Sequence, residues 1–418
     1  MQRIGIIGVG GFATSVLKAI RLVESEGIAR LDAAVIRNPA KHPETLKQLQ
    51  TEGRRILASP QDLFDWGQGK LDIISIPTGI PSHSRLAVQA LEAGFNVVME
   101  KPIAPTVQEV DAILAAEKRT GRFCAIGYQH IHTPALQMLR EEVSGGNMGH
   151  ILKAKTYALW PRGSSYYTRN TWVGDLWADG NWVLDGPITN ANAHHLNNML
   201  YLVDAEANRQ ARIAKLQGEL YRANDIQTYD TGAIRLAMST GAVIHFYLTH
   251  AVGREVNPVT DIVAEKATAR WTHDGAKAVI RYENGVVRSV EGEGNNSHAE
   301  VFRVAIAVLE GRRSELIFSA RDGRNHVLAV DLMFESCGEV VEIPASARKV
   351  VSLPNGERRV EVPGMEELVE QAYAEEKLLS EVGAPWGKAT PWVSAEGYDS
   401  FPRSDQLRAF LAPYLPKP

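Results

Sequence analysis

The first apolar run of the chain, Ile4, Ile6 and Ile7, is β-branched and reads as a buried parallel strand; it breaks at once into Gly8-Val9-Gly10-Gly11-Phe12-Ala13. Helical spacing follows from Thr14 to Arg21. The alternation then repeats. Leu31–Ile36 reads as a second strand closed by Pro39, Leu71–Ile76 as a third, Asn96–Met99 as a fourth and Arg122–Gly127 as the last. Helical patterns lie between them at Pro43–Gln50, near Pro60–Phe64, and in a stretch capped by Gly94. Strands and helices alternating at this length specify a doubly wound parallel sheet. Ligands of such sheets bind at the carboxyl ends of the strands, where the glycine turn, Thr78, His83 and Lys101 all fall.

The pattern changes past Gln129, which places a domain boundary there: residues 1–129 form one domain and 130–418 a second. An amphipathic helix is expected over Pro134–Val143 and a new strand from Ile151. Gly232–Met238 and Ala242–His250 flank Ser239-Thr240-Gly241 as an antiparallel hairpin, and Thr268–Thr272, Ala278–Tyr282 and Val286–Val290 extend a meander. Helices over Ser297–Leu309 and Ala320–Ser336 are expected to pack on that sheet. The tail, from Met365 to the proline-rich Leu411–Pro418, is expected to clasp the body or a neighbouring subunit.

With 418 residues, 44% of them hydrophobic, the chain can bury a large core. A net charge of -4 offers no basic surplus for nucleic acid or an anionic membrane. Cys124 and Cys337 are the only cysteines, which suits unpaired thiols in a reducing compartment better than a disulfide or metal site. No apolar run is long enough to span a bilayer and no leader precedes the first strand, so a cytoplasmic location is expected.

Strand, glycine turn and helix are the order a dinucleotide needs. Gly8 permits the tight turn, Gly10 lets the backbone approach the pyrophosphate, and small Ala13 allows close helix packing, with Gly11 and Phe12 at the helix N-terminus completing the phosphate cradle. An NAD site usually carries an acid at the end of the second strand; here Ile36 and Arg37 stand there, and Asp32 lies too early. Arg37, followed by Asn38, can face a 2′-phosphate, stack on adenine, or be a solvated charge, so NAD and NADP both stay open with a lean to NADP. Pro77, Thr78, His83, Glu100 and Lys101 complete the expected cofactor contacts. Pro102 disfavours helical geometry at Lys101 and permits a cis peptide, fixing where the side chain points. In a partly dry crevice beside a cationic nicotinamide such a lysine gives up its proton more readily and becomes a usable acceptor.

Glu100-Lys101-Pro102 downstream of the glycine turn, with Leu91–Pro102 and Val107–Gly127, resembles the glucose-fructose oxidoreductase, inositol dehydrogenase and rhizopine catabolism (Gfo/Idh/MocA) family of nicotinamide-dependent enzymes. The resemblance implies an α/β chain: an N-terminal Rossmann domain and a C-terminal α/β domain with a large open, mostly antiparallel sheet that forms the substrate wall and often an oligomer contact, here a dimer or tetramer. It also implies a helix carrying an acid and a histidine four residues apart. His194 matches that histidine, Asn190 replaces the acid, and Asn197 replaces a second acid; asparagine orients a hydroxyl or an imidazole but accepts no proton, which leaves the acid–base work to Lys101 and His194. His195 points elsewhere on the helix and reads as structural, not as half of a metal pair.

Tyr157–Trp182 is dense in aromatic residues, Trp160, Tyr166, Tyr167, Trp172, Trp177 and Trp182, interleaved with Arg162, Arg169 and Asp175. Its spacing fits a long ordered loop, suited to the apolar faces and polar rim of a sugar or to aromatic packing against the sheet or a second subunit. Tyr128, Arg162, Trp172 and Trp182 join Lys101, Asn190 and His194 as expected substrate contacts, while His245 and His250 read as sheet residues, His250 standing at a strand end that can line the site. The expected activity is hydride transfer between NAD or NADP and a sugar, sugar derivative or cyclic polyol. Two alternatives come with the resemblance: an NAD-dependent glycoside hydrolase working by transient oxidation and elimination, and a non-catalytic nicotinamide-binding regulator.

Overall fold

The computed structural model describes residues 1–206, 208–272, 276–292 and 298–416, which form two compact units. The first holds β1 (Gln2–Ile7), α1 (Ala13–Ser25), β2 (Ala29–Val35), α2 (Pro43–Thr51), β3 (Arg55–Leu57), α3 (Pro60–Gly67), β4 (Ile73–Ile76), α4 (His83–Glu92), β5 (Asn96–Met99), nearly all of α5 (Val107–Thr120) and β6 (Cys124–Ile126). Its strands run in the order β3-β2-β1-β4-β5-β6, every pairing parallel. The order reverses direction between β1 and β4, which opens a crevice at their carboxyl ends. Ile4 and Ile6 on β1 are fully buried, each contributing about 1.5–3 kcal/mol.

The helix His298–Leu309 departs from expectation. It belongs to the first unit, where Phe302 and Ile306 join Val16, Ile20 and Val23 of α1 in one apolar cluster, instead of packing on the second sheet. Its residue pattern demands burial without naming the surface that provides it. Ser297, where the sequence reading starts that helix, lies outside the described residues.

The second unit holds α6 (Pro134–Ser144), capped by Thr133, then β7 (Ile151–Leu159), α7 (Ser164–Thr168), the short ladder β8 (Trp177–Ala178) and β9 (Asn181–Trp182), and α8 (Ala193–Glu206). Strands β10 (Ile213–Arg222), β11 (Thr231–Met238), β12 (Val243–Thr249), β13 (Val259–Ala264), β14 (Ala267–Thr272), β15 (Lys277–Tyr282) and β16 (Val287–Glu291) follow. They build a large mixed sheet, mostly antiparallel, along β16-β15-β14-β13-β7-β12-β11-β10, in which β7 and β12 pair parallel. The expected hairpin is β11–β12, turning at Gly241 with φ 93°. The helix Ala320–Cys337 packs on β10 as expected, with Ser336 Oγ accepting from the Gly218 amide at 3.0 Å.

The tail clasps its own unit. The helix Met365–Glu375 lies over β7 and β12, where Met365 and Val369 meet Leu159 and Tyr247 in one buried cluster. Glu376 pairs with Lys153 and Lys155 at 2.7 and 3.1 Å, and Glu381 with Arg235 at 2.8 Å. The face of these central strands is thus covered by the chain itself. Lys417 and Pro418 of the expected proline-rich end lie outside the described residues.

Candidate active site

The glycine turn has the geometry of an anion cradle. Gly8 and Gly11 take left-handed φ values of 95° and 58°, which glycine adopts without penalty. The amides of Gly10, Gly11 and Phe12 meet no protein acceptor among the described residues, so donors at the start of α1 face outward together with its dipole. Ala13 is buried against the sheet. A Cβ on Gly10 would come within 2.3 Å of the His42 ring, a neighbour that the sequence pattern did not single out. These residues fit a nicotinamide dinucleotide. Asp32, in the middle of β2, is ion-paired with Arg30, while Arg37 and Asn38 stand exposed past the end of the strand.

His83 proves to be a bolt between loops and not an open cofactor contact. It is 1% exposed, its Nδ1 2.7 Å from the Pro102 carbonyl and its Nε2 2.9 Å from that of Thr78, so its hydrogen-bonding capacity is spent on tying the β4 loop to the Lys101–Pro102 turn. Two carbonyls would suit the imidazolium; complete burial and the Lys101 charge nevertheless lower its pKa. Thr78 Oγ1 accepts from Ser82 at 2.7 Å. The Lys101–Pro102 peptide is cis.

Glu100 lies beneath this turn. Its carboxyl sits against Gly127, where a Cβ would approach Oε1 to 2.8 Å, accepts the Lys101 amide at 3.3 Å and faces His298 Nδ1 at 3.8 Å. Phe12 of the glycine turn packs edge-on to the same His298. Burial pushes Glu100 up to about 7 against the pull of Lys101. A carboxyl raised in the folded state holds a proton that the unfolded chain has already lost between its ordinary pKa of 4.5 and about 7. Its contribution to stability is therefore complete at low pH and falls away as pH rises through that window, by up to about 1.4 kcal/mol per unit. Glu100→Gln should flatten this decline in urea unfolding followed from pH 5 to 8. Glu117, pushed to about 7 by its own burial, keeps its share of the slope. An unchanged slope in the variant would show that Glu100 is ionised throughout.

In the second unit the segment bearing the expected pair does not form one helix. Pro187–Ala191 make a single π-helical turn, Asn192 breaks it at φ -113° and ψ 22°, and α8 starts only at Ala193. Asn190 and His194 consequently do not share a regular helical face. Proline at the front of the turn and a hydroxyl anchor at Thr189, held by Tyr229 Oη at 3.0 and 2.9 Å, set this geometry. Asn190 is held by an acid that the sequence reading missed: it donates to Asp185 Oδ1 at 3.0 Å, while Oδ2 accepts the Gly174 amide at 2.9 Å. Burial raises the pKa of Asp185 in spite of these donors. His194 and Asn197 are buried on α8, and His195 packs on Trp271 at 5.3 Å, a structural role as expected.

The aromatic stretch divides in two. Trp182 is not an open sugar platform, because it faces Trp177 across the β8–β9 ladder at 4.9 Å and Phe401 of the tail at 5.3 Å. Tyr128, in the first unit, is completely buried with its ring edge-on to Phe318. Trp172 is half-buried in a turn closed by Asn170, whose Oδ1 accepts the Trp172 and Val173 amides. Trp160, Arg162, Tyr166, Arg169 and His250 form the other group: Arg162 lies 5.2 Å from the Trp160 ring and 4.9 Å from that of Tyr166, Arg169 lies 3.9 Å from Tyr166, and His250 meets Tyr166 at 5.5 Å.

A parallel sheet of this strand order with a glycine cradle at its switch point, followed by a large mixed sheet, defines a dinucleotide-binding oxidoreductase fold. Residues 2–128 match the model of the Gfo/Idh/MocA oxidoreductase family, described by its NAD-binding Rossmann fold. It is 23% identical over 324 residues to inositol 2-dehydrogenase of Acidothermus cellulolyticus, spanning 77% of this chain and 85% of that protein. It is 26% identical over 113 residues to levoglucosan dehydrogenase of Pseudarthrobacter phenanthrenivorans, spanning 26% of this chain and 29% of that protein. Among solved structures, the WlbA dehydrogenase of Bordetella pertussis in complex with NADH and UDP-GlcNAcA superposes with a TM-score of 0.65 at 21% identity, over 80% of this chain and 95% of that one. No helix among the described residues is long and apolar enough to cross a membrane.

Proposed function

We propose that the chain oxidises a carbinol of a sugar, sugar derivative or cyclic polyol, with Lys101 and His194 as acid–base groups, and that Arg37 favours NADP over NAD. The observation that carries this reading is the outward-facing amide cradle of Gly10, Gly11 and Phe12 on the sheet whose β5 leads through Glu100 into Lys101. The bound nicotinamide supplies the hydride acceptor. As the carbinol carbon gives up its hydride, its hydroxyl gives its one proton to Lys101, with His194 as the second member of the relay through which that proton leaves, and Asn190, oriented by Asp185, positions a hydroxyl. Inositol and levoglucosan, named for two relatives, are a cyclic polyol and an anhydrosugar, and both support the substrate class. Asp32, engaged by Arg30, leaves Arg37 as the residue available to a ribose 2′-phosphate. A dimer or tetramer, as the resemblance implies, has to use a surface other than the strands covered by the tail.

The test mixes purified protein with free sugars, polyols and chromogenic glycosides, each with NAD and with NADP. Reduced cofactor accumulating with a free sugar or polyol, faster with NADP, is the expected result. Aglycone release without net reduction would replace this reading with redox-assisted glycoside cleavage.

A further inference from the structure

The group around Tyr166 holds two arginines with no paired carboxylate among the described residues and two unsatisfied polar atoms. Neither the Arg162 nor the Arg169 guanidinium is ion-paired among the described residues; both lie over the Tyr166 ring, and Arg169 also hydrogen-bonds to the Tyr166 hydroxyl. Arg162 Nε is a buried donor with no acceptor. His250 is 1% exposed, and its Nδ1 lies 2.8 Å from the Trp160 carbonyl, which can only accept; the proton is on Nδ1, and Nε2 is left as a buried acceptor with no donor. Burial and the two arginines push His250 down to about 3, so the ring stays neutral. Asp185 feels the Arg169 charge, but its oxygens accept from Gly174 and Asn190; Glu357, beside Gly163, accepts from Ser165, and Asp230 from Ala223 and Asn224. No carboxylate is paired with either guanidinium among the described residues, so both can take up a further negative charge.

We propose that this cluster binds an anionic substituent of the sugar substrate, a carboxylate or a phosphate, through Arg162 Nε–H and the Arg169 fork, while a ring hydroxyl donates to His250 Nε2. The proposal rests on the sugar-oxidising reading and narrows its substrate to acidic sugars. A planar two-oxygen group matches the guanidinium edge, and a hydroxyl matches an acceptor that a carboxylate could never satisfy. Donor and acceptor thus select an anion and a hydroxyl on one ligand.

Binding of D-glucuronate, D-glucose 6-phosphate and D-glucose to the full chain, followed by calorimetry and by tryptophan fluorescence, tests this directly. At least one of the two anions should bind about tenfold or more tightly than glucose, and the pair of arms tells carboxylate from phosphate. Arg169→Gln and Arg162→Gln should each weaken that anion by about ten- to a hundredfold and change glucose binding by about twofold or less, with Arg169→Lys intermediate. If Arg162→Gln fails to fold, the exposed Arg169 carries the test. Equal affinity for glucose and both anions, or an equal loss for all three in Arg169→Gln, would overturn the proposal and reduce the arginines to neighbours of Asp185. An acidic sugar that binds through these arginines yet reduces neither nicotinamide upholds this site and removes the oxidoreductase reading. A neutral polyol oxidised while no acidic sugar binds does the reverse.

Discussion

Lys101→Met is expected to lower turnover about a thousandfold while cofactor affinity, read from quenching of tryptophan fluorescence, stays within about twofold of the parent. Methionine keeps the length and the apolar stem of lysine but accepts no proton, so the substrate hydroxyl loses its base. The cradle for the pyrophosphate is built from the amides of Gly10, Gly11 and Phe12, which the substitution does not touch. His83 and the Pro102 carbonyl hold the turn by a bond that does not involve the lysine side chain. Turnover within about tenfold of the parent would remove Lys101 from the chemistry, and a parallel loss of cofactor binding would make it a binding residue.

The largest effect on the framework is expected from Gly186→Ala. A Cβ there would stand 2.4 Å from Cε1 and Cζ of Tyr229 and 2.9 Å from its hydroxyl, in a region with no slack because Tyr229 is 1% exposed. Gly186 has φ 165°, an extended backbone open to any residue, so the cost is the collision and not the dihedral. Displacing Tyr229 also breaks its bonds to the amide and hydroxyl of Thr189, and with them the π-helical turn that presents Asn190. A loss of about 3 kcal/mol or more in urea unfolding is expected, against about 1–2 for Tyr229→Phe, which removes the hydroxyl alone. Equal stability of the two variants would mean that the turn yields around the added methyl.

The first sheet was legible because its signals are local. Buried parallel strands such as Ile73–Ile76 are continuous apolar runs ended by loop residues, and each sits where its pattern puts it. Strand β3 escaped because three residues, Arg55 to Leu57, carry no period, and β10 because its buried core includes Gln217, Gly218 and Glu219, which break the expected alternation. The candidate site was legible in part. Lys101 and the glycine turn follow from strand ends, whereas Asp185, His42 and His298 reach their partners through tertiary contacts that no spacing encodes. Asn190 and His194 illustrate the limit: four residues apart means one face only while the helix is regular, and the Pro187 turn is not. Likewise, Trp182 and Arg162 sit in one aromatic stretch, but the ladder and Phe401 claim the first while the second retains a donor without an acceptor.

The most direct measurement supplies the protein with a sugar or cyclic polyol deuterated at its carbinol carbons and follows the nicotinamide by mass spectrometry. Reduced cofactor gaining one deuterium, in step with one equivalent of ketone and lost in Lys101→Met, is the result this account predicts. A cofactor that binds but stays unlabelled across neutral and acidic sugars alike would contradict it.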